Sequence, residues 1–425
     1  MLNLHQSNVR LRADPSRVVV RPFHLAWNAQ APQGRVHRLV DQVRSMDMRT
    51  ARLELALVFH DFETRHNQTH QIFMQRYDEI EAQLGLDGRR IREEKKLLIG
   101  AYFCHEYSFA AAALMNPSAT IHPDQTNLSY GHVRIVLSLR AVGEGHISSI
   151  VFREGIIGPN REFELTSQPK CMTATSLVRP AVQRNDGVVT VQRHADSDIS
   201  GSVIFPITEM QRNGLEDLRI TRLDGSCGTG EWVGTYTAYS GREIASELLR
   251  TRDFKTFDLV PITGSAARNK GMALFPTCAD GRFRMIGRQD GQNLFMLESD
   301  DLTHWEDGAK LLEPRYPWEL IQIGNCGPPI EIDEGWLLLT HGVGAMRKYS
   351  IGAVLLDKAD PSKVLGRTAQ PILSAADEDR EGYVPNVVYS CGGMRVGDDI
   401  FLPYGVADSS VAFAFAPIAE LLDAM

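Results

Sequence analysis

The chain has 425 residues, of which 43% are hydrophobic and 23% charged, as in a soluble globular protein of one large domain or two ordinary ones. Its net charge of -8 argues against a surface for nucleic acid or anionic lipid, but allows a local basic pocket for a small anion. No apolar run approaches the roughly 20 residues that cross a bilayer, and residues 1–10 lack the apolar core of a signal peptide, so we expect no membrane contact.

The six cysteines are scattered along the chain and form no C-x-x-C pair. Such spacing is typical of reduced thiols and not of a disulfide framework or a zinc site. We therefore predict a cytoplasmic protein without a bound metal.

The first third of the chain is predicted to be mainly helical. Residues 1–34 are expected to be irregular, with one strand-like piece at 17–23. Apolar residues then recur at helical spacing from residue 35 to about 84, and again over 92–113, which predicts about four helices. Their apolar stripes need a cover, so the segment is predicted to form either a homo-oligomer interface or part of the active-site rim.

Beyond Asn116-Pro117 the helical period disappears, and short β-branched runs alternate with Gly and Pro. This pattern is typical of an all-β sandwich, barrel or propeller. A weak repeat favours the propeller, because residues 252–257 resemble residues 300–305 at an offset of 48, close to the roughly 40–50 residues of a four-stranded blade.

Residues 213–221 carry two adjacent carboxylates, Glu216 and Asp217, followed by Arg219. In a strand the two carboxylates point to opposite faces, so one can enter a pocket while the other braces the backbone. The stretch alone is equally compatible with an exposed charged turn.

Polar clusters at the predicted strand ends mix carboxylates and amides with Arg, Lys, His and Tyr. They occupy residues 116–118 with 140, 216–219, 269–270 with 288, 324–329 with 341 and 349, and 381–386 with 404 and 408. Such groups suit sugar and phosphate binding, and a carboxylic acid is needed to protonate a glycosidic oxygen. The chain has no H-E-x-x-H motif, no P-loop and no G-x-S-x-G elbow.

Residues 115–415 resemble glycoside hydrolase family 130, the inverting β-mannoside phosphorylases and related mannosidases. The stretch 214–221 is similar to the family motif G-x-E-D-P-R-I-T, with Leu218 in place of Pro, and 335–342, 384–389 and 404–408 match further motifs. The resemblance implies an all-β fold, a five-bladed β-propeller over residues 114–425. It would be preceded by an N-terminal strand and α-helical segment over residues 1–113.

The resemblance also implies a reaction. Asp217 would act as general acid while phosphate attacks the anomeric carbon, so that a β-mannoside yields α-mannose 1-phosphate by inversion. The partners would be a β-mannoside oligosaccharide and inorganic phosphate as co-substrate, with no other cofactor. The substrate-binding set is Asn116, Arg140, Glu216, Arg219, Tyr236 and Asp408. The phosphate-binding set is Lys270, Arg288, His341 and Tyr349.

Glu331 departs from the pattern, because phosphorylases of the family carry a Lys near this position. A carboxylate facing the pocket would repel phosphate and could hold a water, so an inverting β-mannosidase with Glu331 or Glu381 as base is the alternative. A second alternative is a sugar-binding protein without catalysis. We predict phosphorolysis, because the other phosphate-binding residues are present, on condition that Glu331 turns away from the pocket.

Overall fold

The computed structural model describes residues 4–24, 34–178, 187–224, 230–278 and 281–425. The chain divides into two compact units. The helical unit contains Ser16–Ser108 and Pro169–Ala174, and the sheet unit contains Met1–Pro15, Phe109–Gln168 and Thr175–Met425. The boundary between residues 113 and 114 that the sequence indicated stays a prediction.

The α-helices of the described residues are α1 (Arg35–Ser45), α2 (Met48–Phe62), α3 (Thr69–Leu84), α4 (Glu93–Tyr102) and α5 (Ile418–Asp423). The strands in chain order are β1 (His5–Gln6), β2 (Leu11–Arg12), β3 (Val18–Pro22), β4 (Cys104–Ser108), β5 (Ala113–Ile121), β6 (Val133–Val142), β7 (Ser148–Ile157), β8 (Phe163–Leu165), β9 (Thr173–Ala174), β10 (Ser176–Leu177), β11 (Val189–Gln192), β12 (Ser202–Ile204), β13 (Gly214–Leu223), β14 (Glu231–Tyr239), β15 (Ile244–Thr251), β16 (Thr256–Pro261), β17 (Ala273–Leu274), β18 (Phe283–Gly287), β19 (Leu294–Ser299), β20 (Ala309–Leu312), β21 (Gln322–Asn325), β22 (Ile330–Ile332), β23 (Gly335–Val343), β24 (Tyr349–Leu356), β25 (Val364–Arg367), β26 (Leu373–Ser374), β27 (Val388–Tyr389), β28 (Met394–Val396), β29 (Asp399–Val406) and β30 (Ser410–Pro417).

The helical unit holds α1 to α4 in the region where the periodicity predicts about four helices. Asp47 caps the N-terminus of α2, because its side chain accepts a hydrogen bond from the Thr50 amide at 3.0 Å. Gly85 caps the C-terminus of α3 in a left-handed conformation with φ 62°. Apolar side chains of α1, α3 and α4 form the core of the unit, among them Val40, Tyr77 and Leu98.

The last predicted helix, over residues 92–113, is shorter than expected. Helix α4 ends at Tyr102, and β4 follows at once and pairs antiparallel with β3. Pairing with β3 satisfies the backbone groups along one edge of residues 104–108, which helical apolar spacing alone does not reveal.

The prediction of an all-β, five-bladed propeller is wrong. The described strands form sheets of six, twelve, four, six and two strands, and no closed ring of five blades is found among them. Two predicted blades merge in the twelve-stranded sheet, because β13 pairs in parallel with β7 through Gly214 and Ser148. A Cβ on Gly214 would lie 2.7 Å from the Ser148 Cβ, so only glycine allows this close approach.

The first strands of the chain join the last strand. Strand β1 pairs with β30 through His5 and Phe415, and β2 pairs with β30 through Leu11 and Val411. The sequence indicated irregular structure here, since strands of two residues have no detectable alternation of apolar and polar residues.

The cysteines are only partly as predicted. Cys104, Cys171, Cys326 and Cys391 are free thiols, whereas Cys278 is disulfide-bonded, so the prediction of reduced thiols is wrong for Cys278. Among the helices of the described residues, none combines the length and the apolar character that crossing a membrane requires.

Candidate active site

Two β-bulges bring the motif carboxylate and an amide together in the sheet unit. Pairing of β5 with β6 shifts between Met115 and Ser118, and pairing of β13 with β14 shifts between Glu216 and Arg219. The bulges contain Asn116 and Asp217, which have φ of 50° and 58°. Because a bulge bends the strand and redirects its side chains, Asn116 Nδ2 donates to Asp217 Oδ1 at 2.7 Å.

A cavity of about 210 Å³ opens at these bulges. It is lined by Asn116, Arg140, Asp217, Arg219, Thr237, Lys270, Gly271, Arg288, Gln322, His341, Arg347, Tyr349, Val387, Tyr389 and Asp408. Five of these side chains are Arg or Lys and two are Asp, which is an excess of three positive charges when all are ionised. The whole chain carries -8, so the cavity is a local exception suited to an anion.

Arg140 connects the two adjacent carboxylates of the motif. Its Nη2 donates to Glu216 Oε1 at 2.7 Å, its Nη1 lies 3.4 Å from Asp217 Oδ1, and its Nε donates to Ser148 Oγ at 2.9 Å. Glu216 does not line the cavity. Its ion pair holds Arg140 in place, so Asp217 enters the pocket while Glu216 supports the Arg140 side chain.

Asp217 is ionised at neutral pH. Burial raises the pKa of its carboxyl, but Arg140, Arg219, Lys270 and the Asn116 amide outweigh burial and lower the pKa to about 2. Glu216 shows the opposite result, because burial outweighs Arg140 and raises its pKa.

Asp408 is the second carboxylate of the cavity. It follows β29 in a left-handed conformation with φ 48°, which turns its side chain out of the strand. Burial and the nearby Asp217 charge raise the pKa of Asp408 to about 6, against the effects of Arg140, Arg347 and Lys270. The two carboxylates of one cavity therefore differ strongly in pKa, which is an arrangement typical of acid–base sites.

Arg219 lines the cavity, but its side chain donates hydrogen bonds to other residues of the protein. Its Nη1 donates to the Asp217 carbonyl oxygen at 2.8 Å, its Nε to Asn325 Oδ1 at 3.1 Å, and its Nη2 to the Tyr389 hydroxyl at 2.7 Å. It thereby holds the bulge that carries Asp217. Leu218, which stands in place of the motif Pro, is buried in the core beneath this bulge.

The predicted phosphate-binding residues Lys270, Arg288, His341 and Tyr349 all line the cavity. Arg288 lines the cavity, and its buried Nε has no hydrogen-bond partner among the described residues. The His341 and Tyr349 rings stack with centroids 5.9 Å apart.

His341 is a neutral acceptor at this position, not the titratable donor that the residue type suggests. Burial, Arg288 and Arg219 lower its pKa well below the ordinary value. Its Nδ1 lies 3.1 Å from the Asn325 carbonyl oxygen, which can only accept, so Nδ1 carries the proton. Nε2 then presents a lone pair, which can accept the hydroxyl hydrogen of monohydrogen phosphate.

Three predicted residues lie away from the cavity. Tyr236 is in the core, where its hydroxyl donates to Glu247 and accepts from Gln211. Glu331 on β22 is 49% exposed and pairs with Lys358 at 3.1 Å. Glu381 is exposed on the surface.

Several lining residues were missed by the sequence analysis. Tyr389 ends the matched stretch 384–389 and could have been found there. Arg347 lies in a turn with φ 55°, and Thr237 and Gln322 lie within β14 and β21, where no local pattern marks them. The described residues contain no group of three or more His, Cys, Asp or Glu that could hold a metal ion.

Comparison with known proteins identifies the family. A sequence profile of glycoside hydrolase family 130, described as beta-1,4-mannooligosaccharide phosphorylase, matches residues 189–425. The 1,2-beta-oligomannan phosphorylase of Thermoanaerobacter sp. (strain X514) is 34% identical over 219 residues, which are 50% of this chain and 72% of that protein. The beta-1,2-mannobiose phosphorylase of Listeria innocua serovar 6a is 32% identical over 228 residues, 52% of this chain and 62% of that protein.

The fold is shared with solved structures at lower identity. A glycosyl hydrolase from Bacteroides ovatus is similar with a TM-score of 0.52 and 20% identity, over 73% of this chain and 85% of that one. The resemblance indicated by the sequence motifs is confirmed by the profile match, which covers more than half of the chain. The chain belongs to glycoside hydrolase family 130.

Proposed function

We propose that this chain is an inverting β-mannoside phosphorylase that uses inorganic phosphate and yields α-mannose 1-phosphate. The observation that carries the proposal is that one cavity contains both carboxylate and amide groups and several cations. Asn116, Asp217 and Asp408 offer sugar-binding and acid groups, and Lys270 and Arg288 belong to an excess of cations. The relatives from Thermoanaerobacter and Listeria are β-mannoside phosphorylases, which supports the same reaction.

In the proposed reaction, the Asp217 proton passes to the glycosidic oxygen, directly or through a hydroxyl of the bound mannose. A phosphate oxygen forms a bond to the anomeric carbon as the bond to the glycosidic oxygen breaks. Attack from the opposite face inverts the β-configuration to α. Phosphate supplies the nucleophile, so no second carboxylate is needed as a base.

Phosphate binding would also raise the pKa of Asp217. Lys270 is one of the three cations that lower the pKa of Asp217. A phosphate dianion bound against Lys270 and Arg288 counteracts that positive field, so the pKa of Asp217 rises toward a range in which it holds a proton. Phosphate binding is thereby coupled to protonation of Asp217.

The position of Glu331 supports phosphorolysis over hydrolysis. Its carboxylate is half exposed and pairs with Lys358, and it contributes nothing to the cavity lining. The like-charge cost of about 4 kcal/mol that a carboxylate 4 Å from phosphate would impose therefore does not arise. Glu381 is exposed and does not line the cavity either.

Product analysis tests the proposal. The protein is incubated with β-1,2-mannobiose, β-1,4-mannobiose and 4-O-β-D-mannosyl-D-glucose, with and without phosphate, and the products are followed by ¹H and ³¹P NMR. The expected result is α-mannose 1-phosphate from at least one of these disaccharides, only when phosphate is present. Free mannose released at equal rates with and without phosphate, or β-mannose 1-phosphate, would refute it.

The setting of the reaction is a further part of the proposal. A cytoplasmic location rests on the four free thiols, with Cys278 as the disulfide-bonded exception. A reaction without metal or organic cofactor, and without nucleic acid or membrane, stays a prediction, as does a homo-oligomer formed through the helical unit.

A further inference from the structure

Asn325 contacts residues of the active-site cavity but does not line the cavity itself. It is the last residue of β21 and is only 2% exposed. Its side chain forms four hydrogen bonds, to residues of β13, of β18 and of two loops. Strands β13, β18 and β21 belong to three separate sheets, so no ladder of strand pairing joins them at this point. A buried side chain that bonds to all three can therefore fix the spacing of the residues that they carry.

The amide oxygen of Asn325 is bound to the residue that holds the acid. Oδ1 accepts from Arg219 Nε at 3.1 Å and from the Gly327 amide at 3.2 Å. Both partners can only donate, which identifies this atom as the oxygen of the amide. Arg219 in turn donates from Nη1 to the Asp217 carbonyl oxygen at 2.8 Å. Asn325 is therefore one hydrogen bond away from the guanidinium that holds the Asp217 bulge.

The amide nitrogen of Asn325 is bound to the backbone beside two cations of the proposed phosphate site. Nδ2 donates to the carbonyl oxygens of Gly271 and Ile286, at 2.5 and 3.3 Å. Gly271 follows Lys270 directly, and Ile286 precedes Arg288 by two residues. Lys270 and Arg288 both line the cavity. The two ends of one amide thus hold the support of the acid on one side and the backbone beside two cations on the other.

An amide is the short side chain that meets all four of these partners. It offers two donors at its nitrogen and two acceptor lone pairs at its oxygen, and Asn325 uses all of them. A carboxylate of the same shape would keep the acceptors but lose both donors. A hydroxyl carries a single donor on a shorter side chain and could not bond to both carbonyl oxygens.

We propose that Asn325 is a positioning residue, which sets the distance between Asp217 and the phosphate-binding cations Lys270 and Arg288. This inference rests on the phosphorolysis proposed above. In that reaction the acid and the attacking phosphate must lie on opposite sides of the anomeric carbon at the same moment. A misplacement of about 1 Å between reacting groups can cost roughly 10²-fold in rate, even when its cause lies outside the site.

Replacing Asn325 by Asp tests the proposal. One carboxylate oxygen can still accept from Arg219, which favours the ionised form, whereas the other oxygen faces the carbonyl oxygens of Gly271 and Ile286. The backbone beside Lys270 must then move. Initial rates are measured with the disaccharide that the wild type phosphorolyses, once against phosphate and once against disaccharide. The KM for phosphate is expected to rise roughly tenfold, as for one weakened charge-assisted hydrogen bond, and kcat to fall roughly 10²-fold, while the KM for the disaccharide stays unchanged.

Two further variants separate positioning from stability. Asn325→Ser is smaller and uncharged, leaves room for water, and should show the same split between the two KM values, even if Asn325→Asp does not fold. Gln211→Glu is the matched control, because it makes the same amide-to-carboxylate change at a side chain that is 1% exposed and does not line the cavity. It is expected to lower the midpoint of thermal unfolding without changing the KM for phosphate.

The possible failures are distinguishable. An unchanged KM for phosphate in the folded Asn325 variants, or a rise of both KM values together, would overturn the positioning role. The same would follow if Gln211→Glu raised the KM for phosphate as much as Asn325→Asp, because the effect would then reflect lost stability alone. A wild-type protein that releases free mannose without phosphate would instead refute the proposed function itself.

Discussion

Replacing Asp217 by Asn tests the assignment of the acid, because an amide keeps the shape of the carboxylate but has no proton to transfer. Asn116 Nδ2 lies 2.7 Å from Asp217 Oδ1, and an amide oxygen at that position can still accept this hydrogen bond. Arg140 keeps its 2.7 Å ion pair with Glu216. The substitution therefore removes the proton and leaves the surrounding contacts in place.

The expected loss of turnover on an unactivated β-mannoside is roughly 10²–10⁴-fold, which corresponds to about 3–5 kcal/mol of transition-state stabilisation. Unfolding does not explain such a loss. The pKa of Asp217 is lowered from 3.8 to about 2 in the folded protein. A lowered pKa contributes stability above the unfolded pKa, and that contribution disappears as the pH falls toward 2. The variant accordingly loses about 2 kcal/mol at pH 7, against a typical total of roughly 5–15 kcal/mol.

The assay compares two substrates at saturating phosphate. A mannobiose needs protonation of its leaving group, whereas a β-mannoside of 2,4-dinitrophenol does not. Asp217→Asn is expected to lose turnover on the first and retain most of it on the second. Asp408→Asn, the same substitution at the other carboxylate of the cavity, is the matched control and should change both substrates by a similar factor.

Two results would refute the reasoning. Equal losses on both substrates in Asp217→Asn would mean that this residue binds or positions the substrate without donating a proton. A leaving-group dependence confined to Asp408→Asn would assign the proton to Asp408, whose pKa of about 6 makes it the more often protonated of the two carboxylates.

Three further predictions follow from the same geometry. Arg288→Met should raise the KM for phosphate roughly 10–150-fold, the value of one charge-assisted hydrogen bond. Arg282→Met should leave the KM for phosphate unchanged, because Arg282 is exposed and lies before β18, the strand that Arg288 follows. Initial rates measured against phosphate concentration distinguish the two variants. Glu331→Gln should leave the phosphate dependence unchanged, because Glu331 pairs with Lys358 outside the cavity; a marked loss of rate in that variant would restore the hydrolase alternative. Asp408→Asn should stabilise the protein at pH 7.5 by about 2–3 kcal/mol. The folded pKa of about 6 lies above the ordinary 3.8, so ionisation of Asp408 as the pH rises from 4 through 6 destabilises the folded protein, and a neutral amide avoids this cost. Thermal unfolding should show this gain at pH 7.5 and none at pH 4, and equal midpoints of wild type and variant at pH 7.5 would contradict the raised pKa.

Local signals predicted the elements better than their arrangement. Helical periodicity located α1 to α4, because the spacing of apolar residues depends only on which face of a helix is buried. The prediction of a propeller was wrong, because two predicted blades merge through one parallel pairing, that of Gly214 with Ser148. These residues lie 66 positions apart in the sequence. Pairing between distant strands is decided by the closeness of two backbones in space, which no local pattern encodes.

The sequence by itself determined the family and the residue types of the candidate site, because the motif around Asp217 and the later polar stretches are local strings that can be read in order. It could not decide where individual side chains point. Glu331 turns to Lys358, Tyr236 enters the core, and Arg347 reaches the cavity from a turn, although each choice is open in the chain alone. Burial and charge from several distant strands also set the pKa values of the two cavity carboxylates, so only the tertiary structure separates the carboxyl ionised below neutrality from the one near 6.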